Sequence, residues 1–167
     1  MMRIVISILG VALALAAGPG VAQDNQSGRG ALELKTIVQK VVTTTDASGE
    51  VKTELVPIDV AVPGDEVVYT VTFVNVGEHS ADHILITNPI PREMRYVGGS
   101  AFGPGTKIVY SADGGVSYGE PKELRVVATD GSAHIASADE YTHIRWQLTS
   151  PLDVGAKGFA RFRAVVR

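Results

Sequence analysis

Apolar and polar positions alternate along this chain with the two-residue period of β-strands, and no segment carries a convincing amphipathic helix. The clearest run is Val67 to Asn75, VVYTVTFVN. Tyr69, Val71 and Phe73 fall on one face of it, with Val68, Thr70, Thr72 and Val74 on the other. Before it, Leu32 to Thr45 is a long extended run, turned by Asp46-Ala47-Ser48-Gly49 into Val51 to Ile58. Pro63-Gly64-Asp65 is the next turn, a type II pair in which glycine supplies the positive φ. Further strands are expected at His83 to Thr87, Arg95 to Val97, Lys107 to Ser111, Val116 to Tyr118, Leu124 to Thr129, His143 to Leu148 and Phe159 to Val166. Asn88-Pro89-Ile90-Pro91 should stop the first of these, because proline cannot donate to a ladder. In the last strand Ala160, Phe162, Ala164 and Val166 oppose Arg161 and Arg163. Short strands at this spacing predict an all-β sandwich or barrel, with about seven to nine strands in residues 32 to 167.

The first 22 residues break the pattern. Arg3 precedes an apolar run from Ile4 to Ala17, and Gly18-Pro19-Gly20 ends it. Gly20 and Ala22 are small residues suited to a cut between Ala22 and Gln23. The run falls short of the ~20 residues a membrane span needs. A cleaved signal peptide is therefore expected, with residues 23 to 31 as a flexible lead-in. This places the product in the periplasm, in the medium or at the cell surface, with no membrane span in the mature chain.

Composition narrows the classes further. Hydrophobic residues make up 45% and charged residues 20%, a globular balance. The net charge is −3, and without Arg3 it becomes −4, from 14 Lys and Arg against 18 Asp and Glu. A mildly acidic surface has no electrostatic footprint for nucleic acid. The absence of cysteine removes disulfides, thiol nucleophiles, cysteine-based metal sites and a lipid-anchored cysteine together.

Read in order, Pro63-Gly64-Asp65, Tyr69-Thr70, Asn75, Gly77, Asn88, Pro91, Tyr96-Val97, Trp146, Gly155 and the run Phe159 to Val166 form a recognisable series. It resembles the Domain of Unknown Function 11 family, the conserved-repeat domains of bacterial and archaeal surface proteins. The resemblance covers residues 60 to 167. It implies an immunoglobulin-like Greek-key sandwich with a structural or adhesive role outside the cytoplasm, and no catalytic activity. Asn88 stands where the family usually has Asp, and one copy stands where the family usually has an array. On packing grounds Trp146, between Ile144 and Leu148, belongs in the core between two sheets.

Three groups of residues invite chemistry. His79, Asp82 and His83 crowd one loop, but their spacing matches no strong metal motif. His134 and His143 flank Asp139 and Glu140 without a serine in a nucleophile elbow. Ser111, Asp113, Gly115, Ser117 and Tyr118 match the Asp-box of sialidase-like hairpins, where the side chains satisfy turn amides. With no convergent nucleophile, base and oxyanion donors, no enzyme is expected, and neither catalytic residues nor cofactors are assigned. The leading expectation is an exported interaction module that contacts an envelope or surface protein. It would use an exposed sheet edge for pairing or self-assembly, with Leu32 to Val42 as the candidate strand, pairing in cis or with a neighbouring subunit. The alternative is a calcium- or carbohydrate-binding adhesion domain, motivated by the Asp-box and by the turn acids Asp59, Asp65, Glu66, Asp82 and Asp153.

Overall fold

Alternation decides which side chains each strand turns inward, and the computed structural model of the chain, which describes residues 32–167, follows it. The expected signal peptide, its cut between Ala22 and Gln23, and the lead-in lie outside the described residues. Within them the chain is nearly all-β, arranged as antiparallel sheets.

The strands are β1 (Leu32–Thr45), β2 (Val51–Pro57), β3 (Glu66–Asn75), β4 (Leu85–Pro89), β5 (Met94–Tyr96) and β6 (Thr106–Ser111). They continue with β7 (Arg125–Val127), β8 (Ala133–Ile135), β9 (His143–Leu148) and β10 (Lys157–Val166). A five-stranded sheet runs β2-β1-β3-β10-β5, a three-stranded sheet runs β4-β9-β6, and β7 and β8 form a separate hairpin.

The core lies between the two larger sheets. From the wide sheet, β3 contributes Val67, Tyr69, Val71 and Phe73, and β10 contributes Ala160, Phe162, Ala164 and Val166. Opposite them stand Ile86 of β4, Ile144 and Trp146 of β9, and Tyr110 of β6. Register explains the alternation of sizes: Ala160 pairs with Val71, Phe162 with Tyr69 and Ala164 with Val67, so each bulky ring sits between small neighbours. Tyr69 and Phe162 stack with centroids 4.8 Å apart and ring planes 5° apart, a geometry that contributes roughly 0.5–1.5 kcal/mol beyond area burial. Trp146 is fully buried and packs against Phe162 at 6.2 Å, which places it between the sheets as the sequence implies.

The first run, expected to pair in cis or with a neighbouring subunit, pairs in cis: β3 holds it from Leu32 to Lys40 and β2 from Gln39 to Thr45, which leaves its β2 side open from Leu32 to Val38 among the described residues. Other expectations change. Leu85 rather than His83 opens β4. His83 takes a φ of 53°, and its N–H donates to the Asp82 carboxylate at 2.7 Å, which removes it from the ladder. β4 ends within the Asn88–Pro91 segment, as expected, but two residues later than Thr87, because Asn88 and Pro89 still pair with Ile144 and His143. Pro89 is tolerated there because β4 is an edge strand whose outer N–H has no ladder to serve. Val116 to Tyr118 is not a strand, and β8 and a short 3-10 turn at Ala138–Glu140 were not expected.

Candidate functional site

The wide sheet overhangs the narrow one, and its outermost strand is β2. Every residue of β2 except Val56 is exposed. The direction of its backbone groups follows from one hydrogen bond. Asp46 N–H donates to the Glu50 carbonyl at 2.9 Å, so that pair is of the hydrogen-bonded kind. Hydrogen-bonded and non-hydrogen-bonded pairs alternate along an antiparallel ladder. Lys52, Glu54 and Val56 therefore turn their N–H and C=O groups toward β1, while Val51, Thr53, Leu55 and Pro57 turn theirs outward. Among the described residues, nothing pairs with those outward groups. Pro57 falls on an outward position, where the missing N–H costs no internal bond.

The edges at β4, β5 and β6 are shorter or partly covered. β5 has three residues. Tyr110 of β6 exchanges two backbone hydrogen bonds with Gly119, at 2.9 and 3.0 Å. β4 ends on Pro89. Among the described residues, β2 is the outermost strand and is open along all seven residues, while the same side of β1 is open from Leu32 to Val38, beyond the end of β2. The side chains of β2 add apolar surface: Val51 is 63% and Leu55 44% exposed, and both share the face that carries Val41 of β1.

The Asp-box is a closed hydrogen-bonded turn. The Asp113 carboxylate accepts from Val116 N–H at 3.0 Å, Ser117 N–H at 3.0 Å, Ser111 Oγ–H at 2.7 Å and the Ser117 hydroxyl. Ser111, fully buried, also accepts from Gly115 N–H at 2.8 Å. Gly114 and Gly115 turn the chain with φ of 79° and 90°. The same carboxylate explains the missing strand, because it takes the N–H groups that a ladder at Val116 and Ser117 would need. Donation by Ser117 first, and then by Ser111 and Val116, holds the Asp113 carboxyl far below its ordinary range. Tyr118 carries the Arg145 guanidinium 3.4 Å above its ring.

Of the turn acids, Asp65, Glu66, Asp82 and Asp153 are likewise engaged, whereas Asp59 is exposed and has no hydrogen bond or ion pair among the described residues. Asp65 accepts from Val62 N–H at 2.9 Å and pairs with Lys40 at 2.8 Å. Burial pushes its carboxyl up, but Lys40 and the Val62 amide bring it below the usual value. The Pro63-Gly64 turn has Gly64 at φ 93° and Asp65 N–H donating to Val62 at 3.0 Å, as type II requires. Asp153 accepts from Ser80 at 3.3 Å. In the loop at residues 79 to 83, the Asp82 carboxylate lies 3.3 Å from the His83 ring, and the His79 carbonyl accepts from the Asn75 amide. His134 meets Glu140 at 2.8 Å, whereas His143 meets Thr142 at 3.1 Å, so those two histidines have different partners. Among the described residues, no three His, Asp or Glu groups converge to hold a metal.

Two clusters contain residues the sequence singled out, but their contacts were not legible in it. Asn75 is fully buried, and its amide donates to the carbonyls of His79 and Leu152, each at 2.8 Å, while its Oδ1 accepts from Gly77 N–H at 3.0 Å. Gly155, at φ 75°, adds its N–H to the Asn75 carbonyl at 2.8 Å. Asn75 and Gly77 thus act through hydrogen bonds; neither takes the positive φ their residue types allow. The second cluster joins Tyr96, Tyr110 and Tyr141, with Tyr96 and Tyr110 hydroxyls 3.2 Å apart and Ala101 N–H donating to Tyr96 at 3.0 Å. No α-helix among the described residues is long and apolar enough to cross a membrane. Comparison of the chain with protein-family models, curated proteins and solved structures finds no match to any of them.

Proposed function

We propose that this chain is an exported, non-enzymatic immunoglobulin-like module of the bacterial envelope or surface that works by protein–protein contact along a sheet edge. The observation that carries the reading is the open β2 strand, whose outward backbone groups have no partner among the described residues. Strand addition to such an edge gives affinity through main-chain bonds and selectivity through alternate side chains. The leader at residues 1 to 22 supports export, and the series from Pro63 to Val166 supports membership of the Domain of Unknown Function 11 family. Asp113 of the Asp-box and Asp65 of the turn acids do not favour the calcium or sugar alternative, because their oxygens accept from internal donors.

The test places a photo-crosslinking residue at Thr53, on the open edge, and a second at Arg161, on the central strand β10. In the producing cell, the Thr53 probe is expected to give one discrete adduct from the envelope fraction or the medium, and the Arg161 probe none. Recovery of the chain in the cytoplasm, or adducts indifferent to position, overturns the reading.

A further inference from the structure

The β2 edge has a sequence with an internal symmetry, Val51-Lys52-Thr53-Glu54-Leu55. About Thr53, a cation on one side mirrors an anion on the other, and one apolar residue mirrors another. We propose that the occupant of this edge is a second copy of this chain, its β2 pairing antiparallel across a two-fold axis centred on Thr53. The proposal rests on the reading of β2 as an interaction edge and names its partner.

The register follows from the backbone directions. Thr53 points its N–H and C=O outward, so Thr53 against Thr53 is a hydrogen-bonded pair. Val51 against Leu55 of the second copy is another, occurring twice by symmetry. At two bonds for each pair, the contact makes roughly six backbone hydrogen bonds. Between them, Lys52 of each copy faces Glu54 of the other in a non-hydrogen-bonded pair, where side chains lie closest. Within one chain these two residues already contact each other, both largely exposed. The two-fold adds a cross-chain partner to each. On the opposite face, Val51 and Leu55, exposed by 63% and 44%, cover one another. They extend the stripe begun by Val41, which pairs with Leu55 across β1.

Other centres fail. A two-fold on Lys52 sets Lys52 against itself and Glu50 against Glu54, and one on Glu54 sets Glu54 against itself. A centre at Leu55 asks Pro57 for an N–H it lacks. A centre at Val51 drives the partner into the turn at Gly49, whose φ is 85°. An edge lysine usually protects against pairing. Here Lys52 repels a misregistered strand and attracts the Thr53-centred one, so the same charge excludes other partners and selects the second copy.

Sedimentation of the full chain, purified as the cell produces it, should show a concentration-dependent dimer. Lys52→Glu and Glu54→Lys should each weaken it about ten-fold or more, and the double exchange Lys52→Glu/Glu54→Lys should restore it. Thr53→Pro removes an outward N–H and no bond to β1, and should abolish the dimer while the circular dichroism melt stays cooperative. Since the chain has no cysteine, Thr53→Cys should crosslink to itself on mild oxidation, whereas a cysteine at exposed Val116 should not. A wild-type chain that is monomeric throughout, or a dimer indifferent to the charge exchange and to proline, overturns the proposal. A monomer that still gives the Thr53 photo-adduct with another envelope protein removes the second copy but leaves the interaction edge. A monomer with no adduct removes both.

Discussion

The side-chain amide of Asn75 donates to the carbonyl of Leu152 at 2.8 Å, tying the end of β3 to the loop that leads into β10. With His79 and Gly77 it uses both donors and its acceptor inside a fully buried site. Asn75→Ala leaves the His79 carbonyl and the Gly77 N–H without partners and takes one of two donors from the Leu152 carbonyl, which keeps the Ala81 N–H, and it should cost about 2–4 kcal/mol in denaturant unfolding. Asn75→Asp is more informative. A buried carboxylate would face two carbonyl oxygens, so its folded pKa rises above the unfolded value of about 3.9. The variant's deficit relative to wild type should be smallest below pH 4 and grow as pH rises. A deficit independent of pH would show that the amide donors do not matter.

Asp113→Ala should lower the melting temperature, with a deficit that depends on pH in the opposite sense. The folded carboxyl is held below its ordinary value by donors from Ser117, Ser111 and Val116. Its contribution is present above the unfolded carboxylate pKa of about 3.9 and is lost as pH falls below it. Melts at pH 7 and pH 3 should therefore show a larger difference from wild type at pH 7. Equal differences would assign the loss to packing at the turn instead.

Gly158 pairs with Phe73 across β3 and β10, and a Cβ added there would collide with the Phe73 ring. Phe73 is 2% exposed and has no room to withdraw. Gly158→Ala should destabilise the domain by roughly 1–3 kcal/mol. Combined with Phe73→Leu, the cost should be less than the sum of the two single changes. Strict additivity would mean that the ring is not what excludes a side chain.

Burial raises the phenols of Tyr110, Tyr69 and Tyr141, and the Tyr96 hydroxyl adds to the effect at Tyr110. Absorbance at the phenolate band between pH 10 and 11 should fall short of the chain's five tyrosines in the folded protein. The missing signal should appear in denaturant. A group whose folded pKa is raised stabilises the fold below the unfolded pKa, about 10 for tyrosine, and that contribution drains away as pH climbs past it. Full titration of the folded protein near pH 10 would place the three rings in water.

The sequence was most legible where one face is buried and the other wet. Val67 to Asn75 and Phe159 to Val166 show clean alternation because β3 and β10 lie at the middle of the wide sheet. It was least legible where a side chain competes with the ladder for backbone groups. Asp82 removes His83 from β4, and Asp113 removes Val116 and Ser117 from a hairpin; both are single hydrogen-bonding events that periodicity does not register. β8 is exposed at all three residues, so no burial marks it. Leu32 to Val42 reads as a pairing strand from its length and alternation, and it pairs with two neighbours in succession, β3 and then β2. β2 closes the sheet as its outermost strand, and its outward-pointing positions end on Pro57. That proline was the available signal.

Five strands facing three leave β1 and β2 largely without a layer beneath them. Their detachment would expose little of the core, since among their side chains only Leu32 and Val38 pack against it. The domain should therefore open in stages, the outer hairpin first and the central strands only on global unfolding. Amide exchange would display this as two tiers: shallow protection over residues 41 to 57, and protection near the full folding free energy in β3, β9 and β10. Anything that docks beside β2 and binds the attached state would raise the shallow tier alone, turning local breathing into a direct gauge of occupancy.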